Sequence, residues 1–436
     1  MAVGQADTAA QSPADLRNAR LYLTGLGCSV IGGMALSLVA GIWVKSLTGS
    51  SSEAGLVSAC IYLPSLFGPL AGMVADRVAR RRLLVRLSVV SGVADLPLLA
   101  VRSAAWTWII FCVMTWYGTQ LVLSGPAEDA LFAQMLPQDL RQRVNGWRLG
   151  LQESGRLVAP LAGAGLFALA GGGVVALVDA ATFVVAAVAT ARLRTPDEAP
   201  PRPERTRWRA GVLAGYAHIR RTPALARMLG AGAVVMALSG LLVAAQYSLV
   251  QGIGEPPAFL GVFSACLGGG SIVASLVSSR ILRRVGEGWL AVFGMADFAA
   301  GSALRATGVL GWAIAAAVVL GFALPWVFLA VINLAQRVTP TELQGRVSAA
   351  VTLAIFGPLA PMQALGSLAI RYGTFRQLYA ASAIAAVACA AYLARHAREL
   401  HAVPDSSSRP HPTATAPAPT HHPAHGERGI GGPRPG

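Results

Sequence analysis

The 436-residue sequence predicts an all-α membrane protein whose transmembrane helices form two six-helix repeats. Three observations predict it: a composition that needs lipid as its solvent, about twelve apolar runs long enough to cross a bilayer, and basic residues concentrated in alternate loops. Apolar residues make up 54% of the chain and charged ones 13%, about half the charged share of a soluble domain.

The apolar runs fall at about 21–44, 54–75, 83–101, 105–127, 146–169 and 172–192 in the first half. In the second half they fall at about 226–250, 258–279, 289–307, 309–333, 347–370 and 375–394. Each spans roughly 30 Å of hydrocarbon at 1.5 Å per residue. The net charge of +15 is spread along the chain in a way that argues for membrane topology and against nucleic acid. Arginines gather at Arg17 and Arg20; at Arg77, Arg80, Arg81 and Arg82; at Arg141 and Arg143; between Arg202 and Arg221; at Arg280, Arg283 and Arg284; at Arg337 and Arg346; and at Arg395 and Arg398. The intervening loops carry only Lys45, Arg102, Arg305, Arg371 and Arg376. This is the positive-inside pattern, and it predicts a multi-pass protein of the inner (plasma) membrane with both termini cytoplasmic. The first twenty residues lack the basic stretch and short apolar run of a cleaved signal, so no cleavage is expected.

Cys28, Cys60, Cys112, Cys266 and Cys389 all lie in apolar runs at no metal-like spacing and read as small buried residues. The sequence has no phosphate-binding loop, zinc motif or nucleophile elbow, so neither an enzyme nor ATP-driven transport is expected, and neither cofactor nor metal. The chain divides into a cytoplasmic segment 1–19, a six-helix bundle 20–192, a Pro- and Arg-rich linker 193–225, a second bundle 226–395 and a disordered tail 396–436. HHPAH at 421–425 reads as solvated tail, since no further ligands surround it. In the linker, Trp208, Val212, Tyr216 and Ile219 recur at helical spacing beside arginines, which suits a short helix on the anionic leaflet; a plain solvated linker is the alternative.

The two bundles repeat one another. GMVADRVARR (72–81) aligns with SLVSSRILRR (275–284), Gly92-Val-Ala-Asp95 with Gly294-Met-Ala-Asp297, and AQMLPQDLRQRV (133–144) with AQRVTPTELQGRV (335–347). Parallel six-helix repeats are a transporter architecture with the substrate site at their interface.

Gly72, Asp76, Arg77, Arg80 and Arg81 resemble the G-x-x-x-D-R-x-x-R-R loop signature of the major facilitator superfamily. That resemblance implies a conformational latch holding the outward-open state, its arginines paired with Glu128 or Asp129. The alternative is a plain topological anchor of basic residues. Ser279 stands where the second copy would need the aspartate, so the latch is expected on one side only. Gly155, Ala159, Pro160, Gly163 and Ala164 resemble the antiporter signature of the same superfamily, with alanine at two glycine positions. The signature implies export; the plainer reading is tight packing of small residues around a proline bend. The loops near Arg143-Val-Asn145 and Pro340–Arg346 resemble the branch of drug and siderophore exporters that includes macrolide-efflux and enterobactin-exporter proteins. The fourth run lacks the arginine found in many drug:proton antiporters of the superfamily.

Ionisable residues inside spans are functional candidates by default. Asp95, Asp179 and Asp297 fall in runs that the resemblance places at the periphery, and they read as structural. Glu153 and Arg156, three apart on the fifth run, share a face, with Glu153 expected about 10 Å from the cytoplasmic end; they are the candidate coupling pair. Trp116, Tyr117, Gln120, Gln246, Tyr247, Trp326, Asn333 and Gln363 are the candidate substrate cavity, aromatic with a few amides, and suit a small amphipathic ligand. The expected function is alternating-access export of a drug-like or secondary-metabolite molecule by proton antiport, as a monomer in lipid. The rivals are nutrient import on the same fold and a non-transporting receptor or scaffold.

Overall fold

The computed structural model describes residues 13–67, 78–194, 208–340 and 343–401; Gly72, Asp76, Arg77 and the 421–425 histidines lie outside the described residues. The described residues fold as helices, with no strand among them. In the first half the long elements are α1 (Pro13–Thr48), α2 (Ser51–Tyr62), α3 (Arg80–Asp95), α4 (Thr107–Met135), α5 (Gln138–Ala170) and α6 (Gly172–Ala191). The linker helix α7 (Trp208–Arg221) follows. The second half holds α8 (Pro223–Leu241), α9 (Val243–Ile253), α10 (Leu260–Ala306), α11 (Leu310–Val338), α12 (Gln344–Phe356), α13 (Leu359–Tyr372) and α14 (Phe375–His401).

Helix underlies every expected span over its described residues. Among the described residues, nine stretches are long and apolar enough to cross a membrane. That number is below twelve for identifiable reasons. Residues 257–306 hold two expected spans in one stretch, α5 carries Arg148, Glu153 and Arg156 along its length, and the second span runs into residues 68–77. A straight helix the length of α10 would measure about 70 Å, more than twice the hydrocarbon thickness. Gly286 breaks it with φ 79° and ψ 172°. Gly171, between α5 and α6, takes φ 78° and ψ 173°. Only glycine reaches that region readily, so each bend needs one residue of one type.

Each half packs around its own helices. In the first, α1 lies against α5 and α6, and α3 against α4 and α6. In the second, α10 packs along α11 and α14. Glycines let these backbones approach. A Cβ added at Gly270 would collide with the Val318 carbonyl, and one at Gly118 of α4 with the Ile61 carbonyl of α2. Without a hydrophobic drive between helices in lipid, such close contact is what holds a bundle together. The linker helix α7 packs on α12 and α8, with Ile219 buried and Tyr216 exposed.

The halves meet unevenly. One end of the bundle carries the basic loops; the other carries the turns near residues 49, 171, 254 and 308. Across the halves, α2 packs against α9 and α13, and α5 against α10. The helix broken at Gly357 and Pro358 behaves differently in its two parts. Its α13 part touches α2, while its α12 part, toward the basic loops, packs on α7, α8 and α11 of its own half. The halves are therefore joined at the far end and diverge toward the basic-loop end.

Candidate functional site

The far-end closure is built from α1, α2, α9 and α13. A Cβ on Gly41 of α1 would fall on the Tyr247 hydroxyl, so Tyr247 of α9 fits only because Gly41 has no side chain. Gly55 of α2 lies likewise against Ala244 and Ser367. Lys45, 6% exposed, donates from Nζ to Gly49 O at 2.6 Å, Ser51 Oγ at 2.9 Å and Gln251 Oε1 at 2.6 Å. Three acceptors satisfy the three donors of a buried ammonium. Ser52 Oγ donates to Ser367 O at 2.5 Å, tying α2 to α13. Of these the sequence singled out only Tyr247, as a cavity residue; Lys45 read as a residue of a sparsely charged loop, and Gly41 and Gly55 lie in apolar runs with nothing local to mark them.

Ile31 on α1 and Tyr62 at the end of α2 are 44% and 40% exposed, although α1 and α2 have neighbours from both halves. Arg156 Nη1 donates to Glu153 Oε1 at 2.9 Å, with side chains 63% and 45% exposed. The expected pair is therefore formed. Because α5 begins at Gln138, Glu153 lies about 22 Å along its helix at 1.5 Å per residue; the expected 10 Å is counted from the start of the apolar run near residue 146.

The small-residue motif on α5 is a seam with two faces. Gly155 lies against Val30 and Met34 of α1, and Gly163 against Ala35, while Ala159 is fully buried. On the other face, Pro160 O and Ala164 sit against Gly261 of α10. Pro160 removes the donor that would bond the Arg156 carbonyl, and that carbonyl borders Gly268 of α10.

The aromatic wall is largely not a wall. The indole of Trp116 donates to Ser91 Oγ at 3.1 Å and that of Trp326 to Ala274 O at 3.2 Å, so each is anchored inside its own half. Trp326 also stacks with Phe293 and Phe322. A buried indole N–H needs an acceptor, and the nearest ones lie in the supporting helices. Tyr117 packs on Gly33 of α1, Tyr247 closes the far end, and Asn333 donates to Leu329 O within its own helix at 2.8 Å. Gln246 is half-buried beside Tyr247, and Gln363 is buried on α13 with Oε1 unpartnered.

The latch arginines and acids also separate where they are described. Asp129 takes its ion pair from Arg148 of α5 at 2.5 Å. Arg81 Nη1 donates to Ala191 O at 3.2 Å and Leu193 O at 3.0 Å, and Arg17 to Arg192 O at 3.2 Å. These cations meet the carbonyls left unpaired at the C-terminus of α6, where the helix dipole favours them. Arg80 opens α3. Glu128 lines a small pocket of about 40 Å³ within the first half, together with Tyr22, Ser29, Ser88 and Gln120. Among the described residues, no group of three His, Cys, Asp or Glu side chains converges on a metal position.

A bundle of two repeated halves, closed at one end and open between the halves toward the other, defines a membrane transporter. The chain belongs to the Major Facilitator Superfamily, whose family model matches residues 22–362. Macrolide efflux protein A of Streptococcus pyogenes is 22% identical over 175 residues, which cover 39% of this chain and 43% of that protein, less than half its length. Among solved structures, a bacterial homologue of the iron transporter ferroportin superposes with a TM-score of 0.66 at 16% identity, covering 88% of this chain and 99% of that one. A bacterial homologue of the human lysosomal transporter Spinster gives 0.62 at 15% identity, covering 90% and 97%. The nucleoside transporter NupG gives 0.66 at 13%, covering 89% and 99%. At these identities the superpositions speak for the fold alone.

Proposed function

We propose that this major facilitator transporter exports a drug-like, amphipathic small molecule across the plasma membrane by proton antiport, with both termini in the cytoplasm. The observation that carries the reading is the uneven meeting of the halves: α2 closes on α9 and α13 at the far end while α12 stays within its own half. With the basic loops assigned to the cytoplasm, this is the inward-open state, the one in which an exporter loads. The two solved transporters described as inward-facing share the fold. Export is supported by the macrolide-efflux relative and by the small-residue seam on α5.

In this reading the Glu153–Arg156 pair faces the loading cavity and is the candidate coupling element, with Ile31 and Tyr62 supplying apolar and phenolic surface to the substrate. Such a cavity, with one compensated charge pair, suits a bulky and largely apolar ligand better than a strongly anionic one. The Gly72–Arg81 loop acts as the latch of the opposite, outward-open state. Nutrient import is the alternative, since fold does not fix direction. The test is accumulation of radiolabelled erythromycin in inverted and right-side-out vesicles under an imposed pH gradient. Export predicts gradient-dependent uptake into inverted vesicles alone. Uptake confined to right-side-out vesicles, or no flux for a panel of macrolides and other lipophilic drugs, would overturn it.

A further inference from the structure

Two of the aspartates that sequence reasoning set aside as separate supports meet inside the first half. Asp95 is the last residue of α3 and Asp179 lies in the middle of α6; they are 4% and 0% exposed. Their carboxyls lie within hydrogen-bond reach of each other. Gly92, one turn before Asp95, lets α3 approach the Ala180 carbonyl of α6 and so brings the acids together. Oδ2 of each carboxyl has no hydrogen-bond partner, and Asp95 makes no capping bond to the 96–100 turn that follows it.

Among the described residues, no cation lies against either acid. From α6, the Thr182 hydroxyl lies 3.2 Å from Asp179 Oδ1 and 2.7 Å from the Asp179 carbonyl. From α4, the Tyr117 phenol faces the pair, with Tyr62 of α2 beyond it. From α3, Ser91 is engaged by the Trp116 indole. From α1, Gly32 presents only backbone: a Cβ there would fall on Asp179 Oδ1 and Thr182 Oγ1. The ion pairs Arg148–Asp129, Arg156–Glu153 and Arg337–Glu287 involve neither acid.

Two ionised carboxylates side by side, dry and with no cation against them among the described residues, repel strongly in a medium of low dielectric constant, and each loses its hydration as well. A single proton removes both penalties, because one carboxyl then donates its O–H to the other. We propose that Asp95 and Asp179 form a proton-binding site that holds one shared proton. The second repeat lacks it: Asp297, the counterpart of Asp95, is half-buried with no second carboxyl beside it. The site also has a mechanical output. Asp179 seats on Gly32 of α1, and Gly41, where Tyr247 closes the far end, lies nine residues further along the same helix, about 13 Å away. Losing the proton sets two negative charges against each other beneath α1, so the charge of the pair bears on the gate. As a proton site the pair stands on geometry alone; as the coupling site it rests on the exporter reading above.

Infrared difference spectra of the purified protein in lipid nanodiscs, recorded from about pH 5 to about pH 9, test the proton site without any substrate. The wild type is expected to show a protonated-carboxyl band at neutral pH that disappears in Asp95→Asn and in Asp179→Asn and persists in Asp297→Asn. In either asparagine variant the new amide donates to the remaining carboxylate, so folding is preserved; should both fail to fold, the wild-type titration still decides. Absence of the band in the wild type, or its survival in both asparagine variants, overturns the proposal. So does a wild-type thermal stability that follows sodium concentration at fixed pH in place of pH, which would make the pair a cation site. Proton-driven erythromycin efflux from proteoliposomes is measured in parallel. Loss of the band with efflux unchanged keeps the proton site and removes only its assignment to coupling.

Discussion

The Tyr247 hydroxyl of α9 occupies the space that a Cβ on Gly41 of α1 would take, which makes one missing methyl group a condition of far-end closure. Gly41→Ala should therefore force Tyr247 outward and bias the transporter away from the state described here. A cysteine placed at Ala54, buried beneath this contact, reports the shift in a background lacking the native cysteines. Its alkylation should accelerate about tenfold, the factor that roughly 1.4 kcal/mol of bias produces, and Tyr247→Ala in the same protein should restore protection. Equal labelling of Gly41→Ala and the parent would show that the contact does not hold the gate.

Lys45 gives the same closure its polar component. Its bond to Gln251 Oε1 joins α1 to α9, while its other two acceptors are local. Lys45→Met keeps the length of the side chain and leaves the acceptors without their donor. Closure should weaken by about 2 kcal/mol, the scale of a hydrogen bond to a charged group. Gln251→Ala should cost about half as much, because two acceptors remain. The far-end distance distribution between spin labels, compared for the two variants, checks the order; the reverse order would mean that the Gln251 bond dominates.

How far the molecule could be read from its sequence follows from the range of each interaction. Spans, connecting turns and the small-residue seam on α5 are local patterns of hydrophobicity and size, so they were legible. Gly171 falls between the runs expected at 146–169 and 172–192, and Gly286 between those expected at 258–279 and 289–307; what a local pattern leaves out is that each connection turns on one residue in a conformation glycine favours. The site was legible only where its partners are neighbours in sequence, as with Glu153 and Arg156. Tyr247 with Gly41, Lys45 with Gln251 and Asp95 with Asp179 are brought together by packing between distant helices, and no local pattern announces them. Residue type alone does not say which way the indoles of Trp116 and Trp326 point; their acceptors at Ser91 and Ala274 lie on helices distant in sequence.

The α5 seam separates two substitutions of opposite severity. A Cβ at Gly163 would already lie 2.8 Å from Ala35 Cβ and 3.0 Å from its Cα, so Gly163→Leu must push α1 and α5 apart. At Ala164 a serine hydroxyl can bond the Pro160 carbonyl one turn earlier, as serines in helices do. Gly163→Leu should abolish flux and lower the thermal midpoint by several degrees, on the order of 1–3 kcal/mol of overpacking, whereas Ala164→Ser should transport at close to the wild-type rate. Initial rates in proteoliposomes and unfolding midpoints in detergent measure both. Equal behaviour would place the seam outside the moving interface.

The last prediction concerns Glu153. Its ion pair with Arg156 is about half exposed on both sides, and exposed pairs contribute roughly 0–1 kcal/mol to stability. Glu153→Gln should therefore leave the unfolding midpoint within about a degree of wild type. Transport should respond much more. If the carboxylate releases Arg156 on taking a proton, the glutamine variant holds the neutral arrangement permanently. Efflux driven by a pH gradient should then be lost, while counterflow, which exchanges labelled for unlabelled substrate without net proton movement, should persist. Loss of both activities would instead place Glu153 in substrate binding. Retention of both would take the pair out of the cycle and leave coupling to acids deeper in the bundle. Arg156→Lys sharpens the distinction, because it keeps the positive charge but removes the planar guanidinium and its fixed donors: gradient-driven efflux should survive it at a reduced rate if charge is what Glu153 reads, and should fail with Glu153→Gln alone.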